Sequence, residues 1–264
     1  MIEQIVLGLI QGIAEWLPVS SEGMIVLAKI RIFNSPADLE SIVREALWLH
    51  LGTLLSAVVY FRRDIGALLG TMFHYRQASG DDQKIFRFLL ISTAVSGALG
   101  IFLIKILTMF SRQFLAGSSY VTILVGLCLI GTGILELRSR SAGYRRISDL
   151  KNADSILLGF IQGLAALPGF SRSGLTVSVL LLRKFDKTCA IKLSFLMSIP
   201  IVLAGNILLN FNHITWSVEQ FAGVFTAFLA GLLTIHALLW LARKINFGYF
   251  VLIFAVLVLI SAFI

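Results

Sequence analysis

Six stretches of this chain are apolar enough to read as bilayer crossings. They fall at roughly 46–61, 88–108, 118–136, 190–210, 218–241 and 247–264, and the first is short for a span. A helix needs about 20 mostly apolar residues to pass roughly 30 Å of hydrocarbon. Inside that hydrocarbon every backbone N–H and C=O must be satisfied within the protein, and runs this long and without alternation meet the demand as helices. No segment between them is long enough for a water-soluble domain. The expected fold is therefore all-α, a polytopic membrane protein forming one domain over 1–264. Composition agrees, with 58% hydrophobic residues, 14% charged and a mean hydropathy of +0.91; soluble domains carry nearer a quarter charged. The formal charge of +8 does not point to nucleic acid, because basic residues in such a chain set orientation and meet anionic headgroups.

Two further apolar regions, roughly 3–30 and 153–183, are broken near their centres by "LPVSSEG" and "LPGFSRSG". Proline removes a donor and disfavours helix before it, and glycine permits sharp turns. Each region reads as a re-entrant hairpin of two short helices. The two also match one another. "GLIQGIAEWLPVSSEG" lies over "GFIQGLAALPGFSRSG", with Gly8, Gln11, Gly12 and Ala14 opposite Gly159, Gln162, Gly163 and Ala165 at a constant offset of 151. After a one-residue slip, Leu17-Pro18 falls on Leu167-Pro168. The chain reads as an internal duplication, repeat one about 1–140 and repeat two about 150–264.

If each hairpin returns to its starting side, three crossings separate the two, and an odd number inverts the repeats. Basic residues then divide 16 against 5 between the faces, which with Arg172 set aside accounts for all 22. The richer face is expected to be cytoplasmic, with both termini outside, in the cytoplasmic (inner) membrane. The start "MIEQIVLGLIQG" lacks a basic leader, and Glu15 and Pro18 interrupt the apolar run, so no cleavable signal is expected. Cys128 and Cys189 make no disulfide or metal pattern, and the four histidines have no ligand spacing. His50 and His236 fall within expected spans and read as proton carriers or, the plainer alternative, as interhelical hydrogen-bonding residues.

Inverted hairpins meet near the midplane, where such folds place ligand sites. That meeting would gather Gln11, Glu15, Ser20, Ser21 and Glu22 with Gln162, Ser171, Arg172, Ser173 and Thr176. An arginine at mid-membrane costs roughly 2.5–3.5 kcal/mol on insertion scales and so points to function. Its planar fork suits phosphate or carboxylate; a structural pair with Glu15 is the plainer alternative. Ser171, Ser173 and Thr176 supply hydroxyl donors, and a helix restarting after the turn points N–H groups at an anion. Glu15 has three readings: ligand to a divalent ion shielding a polyphosphate, base, or partner of Arg172. Ser21 reads as nucleophile or phosphate ligand, and a nucleophilic serine needs an activating base. Glu22 reads as base or as an acid near the N-cap of the returning helix. Gln11 lies one helical turn before Glu15 and supports it by hydrogen bonding.

At these residues the chain resembles the bacterial undecaprenyl-diphosphate phosphatases of the bacitracin-resistance type. "GLIQGIAEWLPVSSEG", "PGFSRSGLT" and the following "FLMSIP" carry the likeness, which covers nearly the whole chain. It implies an integral membrane enzyme that hydrolyses the terminal phosphate of a polyprenyl diphosphate, recycling the lipid carrier of cell-wall peptidoglycan synthesis. It also implies a pocket reached from the outer face and a divalent cation, magnesium or calcium. Glu15 matches the second acid of the family's paired glutamates, Ser21 its nucleophilic or phosphate-contacting serine, and Ser171, Arg172 and Thr176 its phosphate-binding segment. Two positions depart: Gln11 stands for the first glutamate, and Met24 for the histidine that closes the first motif.

The expected activity is thus a polyprenyl-diphosphate phosphatase with Glu15, Ser21 and Arg172 catalytic. Gln11, Ser20, Ser171, Ser173 and Thr176 bind substrate, with Glu15 on the cation. The alternative is a non-hydrolytic lipid-phosphate transporter or flippase of the same fold. Membrane lipids are the expected surroundings, nucleic acid is not a partner, and a homodimer is compatible with the reading.

Overall fold

The computed structural model describes residues 1–35, 39–114, 118–139, 143–210 and 217–263. Among them are eleven α-helices and no β-strand. Five are long and apolar enough to cross a membrane: α3 (Leu39–Tyr60), α5 (Gly80–Phe114), α6 (Ser118–Arg138), α9 (Lys187–Gly205) and α10 (Val218–Lys244). A π turn over Asn206–Asn210 continues α9. The sixth expected crossing forms α11 (Gly248–Ser261), only 14 residues. At 1.5 Å per residue it reaches about 21 Å, short of the hydrocarbon thickness, so that expectation is met in position and not in length. Ile264, the end of that expected span, and Arg140, one of the basic residues in the count above, lie outside the described residues. The outward faces carry bare apolar side chains such as Leu233, 81% exposed, and Phe225, 59%. A contiguous surface of this kind belongs against lipid.

The two broken regions are the hairpins the sequence suggests. Helices α1 (Ile2–Ala14) and α2 (Ser21–Leu27) form the first, and α7 (Asn152–Leu164) and α8 (Arg172–Leu182) the second. Both restart by one device. Ser20 caps α2 by accepting from Gly23 N at 3.1 Å, and Ser171 caps α8 by accepting from Gly174 N at 3.1 Å. Each cap satisfies an N–H that the helix cannot bond itself. The turn before α8 needs Gly169, whose φ is +105° and whose missing Cβ would lie 2.6 Å from Val125 O.

The hairpins do not pack chiefly on their own halves of the chain. Helix α1 lies along α10, and α7 lies along α5. The glycines matched in the sequence make both contacts possible. A Cβ on Gly8 would come 2.4 Å from Gly223 O, and one on Gly159 2.8 Å from Ser92 O. Helices α3 and α9 meet one another, as do α6 and α11. Corresponding elements thus exchange partners, the pattern a two-fold relation produces.

Helix α4 (Arg62–Phe73) has no counterpart among the expected elements. Only Thr71 is buried on it, while Leu69, Met72 and Phe73 stand exposed beside Arg62 and Arg63. That pattern suits a helix lying in a membrane interface. On the same basic face, Asp154 is fully buried under two arginines. Arg145 Nη2 donates to Oδ2 at 2.7 Å and Arg183 Nε to Oδ1 at 2.9 Å. Arg145 also lies over the Phe185 ring, 4.2 Å from its centroid. Burial pushes the Asp154 carboxyl up, but hydrogen bonds from Arg145, Arg183 and the Lys151 N–H outweigh it and leave the group below its ordinary value. The clamp fixes the start of α7 and thereby aims the second hairpin.

Candidate active site

The hairpin tips touch. A Cβ on Gly23 of α2 would meet Gly169 Cα at 3.1 Å, and one on Gly174 of α8 would meet Pro18 Cβ at 3.1 Å. Ser173 Oγ donates across the junction to Leu17 O at 3.1 Å. Between the tips lies a small polar cavity of about 50 Å³, lined by Glu15, Ser20, Ser21, Glu22, His50, Ser171, Arg172 and Ser173 among others.

Glu15 is its hub. Arg172 Nη2 makes an ion pair with Oε1. Oε2 accepts from Gln11 Nε2 at 3.0 Å and from Ser21 Oγ at 2.8 Å, with His50 Nε2 at 3.3 Å. Gln11 also donates to Thr53 Oγ1 at 3.2 Å. A buried carboxylate without partners is strongly unfavourable, and this one is compensated on every side. The pair with Arg172 therefore exists, as the plainer reading of that arginine anticipated. It does not exhaust Arg172. The other arm, Nη1, donates to Ser194 O at 3.1 Å, and the guanidinium lines the cavity, 5.4 Å from the Phe195 ring centroid. Thr176 is fully buried one turn behind it, bonded to Arg172 O at 2.8 Å and to Ser194 Oγ at 2.6 Å. It braces the arginine and does not line the cavity. Gln162 lies away from the tips, donating to Ser96 Oγ at 3.1 Å.

A larger, mostly apolar cavity of about 210 Å³ opens beside the polar one. Leu39, Val43, Leu47, Ile101, Ile104, Ile201 and Leu209 line it, and Glu40 and Arg44 are also on its wall. The two cavities share Glu22, His50, Ala165 and Arg172. A polar cell joined to a greasy slot, with an arginine at the joint, is built for a molecule with an anionic head and a long apolar tail.

A family model described as the bacitracin resistance protein BacA matches residues 4–260. The chain belongs to the bacitracin resistance protein BacA family. Relatives include the undecaprenyl-diphosphatase of Methanococcoides burtonii, 42% identical over 266 residues that cover 99% of this chain and 98% of that protein. The undecaprenyl-diphosphatase of Haloarcula marismortui is 37% identical, covering 92% and 90% of the two chains. That of Methanothrix thermoacetophila is 34% identical, covering 94% and 92%.

Within this BacA-family site, two groups differ from what the sequence suggested. The first is the imidazole. Met24, where the family's histidine stands, packs in an apolar cluster with Val26 and Leu129 and lines neither cavity. A histidine nonetheless reaches the centre from α3, as His50, read from the sequence as an interhelical bond. The second is the carboxylate open to a cation. Glu15, the expected ligand, already faces four protein donors. Glu22 lines both cavities and has no hydrogen-bond partner among the described residues. No group of three or more His, Cys, Asp or Glu side chains forms a metal centre among the described residues. Magnesium is commonly held by one or two carboxylates plus substrate phosphates, and Glu22 offers one such carboxylate.

Proposed function

We propose that this protein is an undecaprenyl-diphosphatase of the cytoplasmic membrane, cleaving the diphosphate to the lipid monophosphate and inorganic phosphate. The observation that carries the reading is the shared wall of the two cavities. A diphosphate drawn into the polar cell by Arg172 leaves its prenyl chain no room there, and the apolar cavity begins at the same residues. The relatives are undecaprenyl-diphosphatases by name, the same hydrolysis; in this chain it serves lipid-carrier recycling in cell-wall synthesis. The site is reached from the outer face, and both termini lie outside, because the basic residues gather at the opposite ends of the spans.

Arg172 holds the terminal phosphate and stabilises charge developing on it, with Ser20, Ser171 and Ser173 as hydroxyl partners. Ser21 is the nucleophile. Its hydroxyl donates to Glu15 Oε2 at 2.8 Å, and a serine nucleophile needs a base within such hydrogen-bond reach. Gln11, itself held by Thr53, fixes that carboxylate. The new Oγ–P bond forms as the bond to the bridging oxygen breaks, and water then hydrolyses the phosphoserine. Glu22 would hold a divalent cation, magnesium or calcium, which would neutralise charge on the diphosphate. Phosphate release from farnesyl diphosphate by the purified protein tests the reading, run with and without magnesium or calcium. Release is expected in the native protein and a loss of at least about 100-fold in Arg172→Ala, the scale of removing one transition-state donor. Turnover at the native rate in Arg172→Ala would sink the mechanism.

One observation favours a second reading, a lipid-phosphate transporter. A third cavity of about 70 Å³, lined by Glu136, Lys187 and Asn246, reaches Trp16, Pro18 and Ser173 from the basic ends of the helices. Ser173 therefore borders spaces on both sides of the hairpin tips. Movement of labelled lipid across liposomes without phosphate release would select that reading.

A further inference from the structure

His50 sits on the wall where the polar and apolar cavities join. Its ring is held between two acceptors. Nδ1 lies 2.7 Å from Ala46 O, and Nε2 lies 3.3 Å from Glu15 Oε2. A carbonyl has no proton to give and a carboxylate none when ionised, so a ring satisfied on both sides donates from both nitrogens. Nδ1 is committed to the backbone of its own helix. Nε2 lies beside Glu15 Oε2, which lines the polar cavity, and a bound diphosphate competes with Glu15 for it.

The head-and-tail placement argued above fixes what lies opposite. With the terminal phosphate among Arg172, Ser20, Ser21 and Ser171, and the prenyl chain in the apolar cavity, the bridging oxygen falls at the joint. His50, Glu22, Ala165 and Arg172 form that joint. Glu22 is an acceptor, Ala165 is inert, and Arg172 is turned toward Glu15 and the terminal phosphate. We infer that His50 is the catalytic donor to the bridging oxygen, stabilising the prenyl monophosphate as it leaves. As the bond from the terminal phosphorus to that oxygen breaks, its electron pair stays on the oxygen and is met by the Nε2–H. The attacking Ser21 hydroxyl forms the new O–P bond and passes its proton to Glu15 Oε2. The inference rests on the phosphatase reading.

The test compares His50→Met, which removes the donor at similar bulk, with His50→Gln, which restores a neutral one. Farnesyl diphosphate is the substrate, and its methylene-bridged analogue, with no bridging oxygen to accept, is the competitive inhibitor. His50→Met is expected to lose about 100-fold in kcat while the inhibitor constant of the methylene analogue stays within about threefold of native; His50→Gln loses less. Three results would overturn the assignment: native kcat in His50→Met, equal losses in both variants, or an inhibitor constant that weakens in step with kcat. The last would make the ring a wall of the pocket. If His50→Met fails to fold, His50→Leu is measured the same way. No release from the native protein would instead overturn the phosphatase reading itself.

Discussion

At the scale of single residues, geometry separates the groups that face the cavity from those that hold them. Arg172 spreads its fork between Glu15 and Ser194 O, so a lysine in its place cannot serve carboxylate, carbonyl and phosphate together. Arg172→Lys is expected to fold and to lose at least about tenfold in kcat/KM, checked by the same phosphate assay; native kcat/KM would show that charge alone suffices. Ser171→Ala removes the cap of α8, which costs about 1 kcal/mol of stability and shifts the backbone carrying Arg172. A lowered unfolding temperature together with reduced turnover is the expected pair of results. Much of this site is legible in the sequence. Glu15, Arg172 and the serines stand out because charge and hydroxyl groups in apolar runs need a reason. His50 does not, since its partner Glu15 lies 35 positions away on another helix and a lone histidine in a span is more often an interhelical bond. Met24 misleads in the opposite sense, marking the family histidine as lost when an imidazole arrives from α3.

At the scale of elements, the hairpins are positioned by close contacts that a single methyl disturbs. Gly8→Ala places a Cβ 2.4 Å from Gly223 O, so α1 must shift away from α10. A cost of about 1–3 kcal/mol is expected for such overpacking. Gly66, in α4, has nothing within 4 Å of its missing Cβ. Gly66→Ala is therefore expected to stabilise by about 0.5–1 kcal/mol through helix propensity alone, and thermal unfolding of both variants in detergent checks the contrast. The Asp154 clamp gives a pH signature. Its carboxyl is lower in the folded protein than the ordinary value of about 3.9, so its contribution is complete above that value. It is lost as pH falls through the lower folded one. Unfolding measured between pH 7 and 3 should show this loss in the native protein and a flatter profile in Arg145→Ala, which is less stable at neutral pH. A parallel profile would remove the clamp from the account. The hairpins themselves are readable from Pro, Gly and the hydroxyl clusters. Helix α4 is not, because 12 residues with scattered apolar positions carry little periodic signal beside spans of twice that length.

At the scale of the whole molecule, the proposed orientation rests on the basic residues, and cysteine labelling tests it. Cys128 and Cys189 are buried, so an introduced thiol stands alone. Ser79→Cys, before α5, should be shielded from a membrane-impermeant reagent in intact cells, and Ser217→Cys, before α10, should react. The reverse pattern would invert the topology. The class of fold is visible in the sequence, because helix is the only economical answer to so much hydrocarbon. Which helix each hairpin leans on is not visible, since packing partners leave no mark in spacing. That pairing has a consequence for how the protein is made. Trp16 Nε1 donates to Gly231 O, 215 positions further on, and α1 lies along the same α10. Chains are synthesised at about 5–20 residues per second, so the first hairpin leaves the ribosome roughly 10–40 seconds before its seat exists. For most of that interval Glu15 also lacks Arg172, which follows it by 157 positions. A hairpin that cannot hold itself in hydrocarbon must wait at the membrane surface or in the grip of the insertion machinery, and the active site closes only when the last third of the chain arrives.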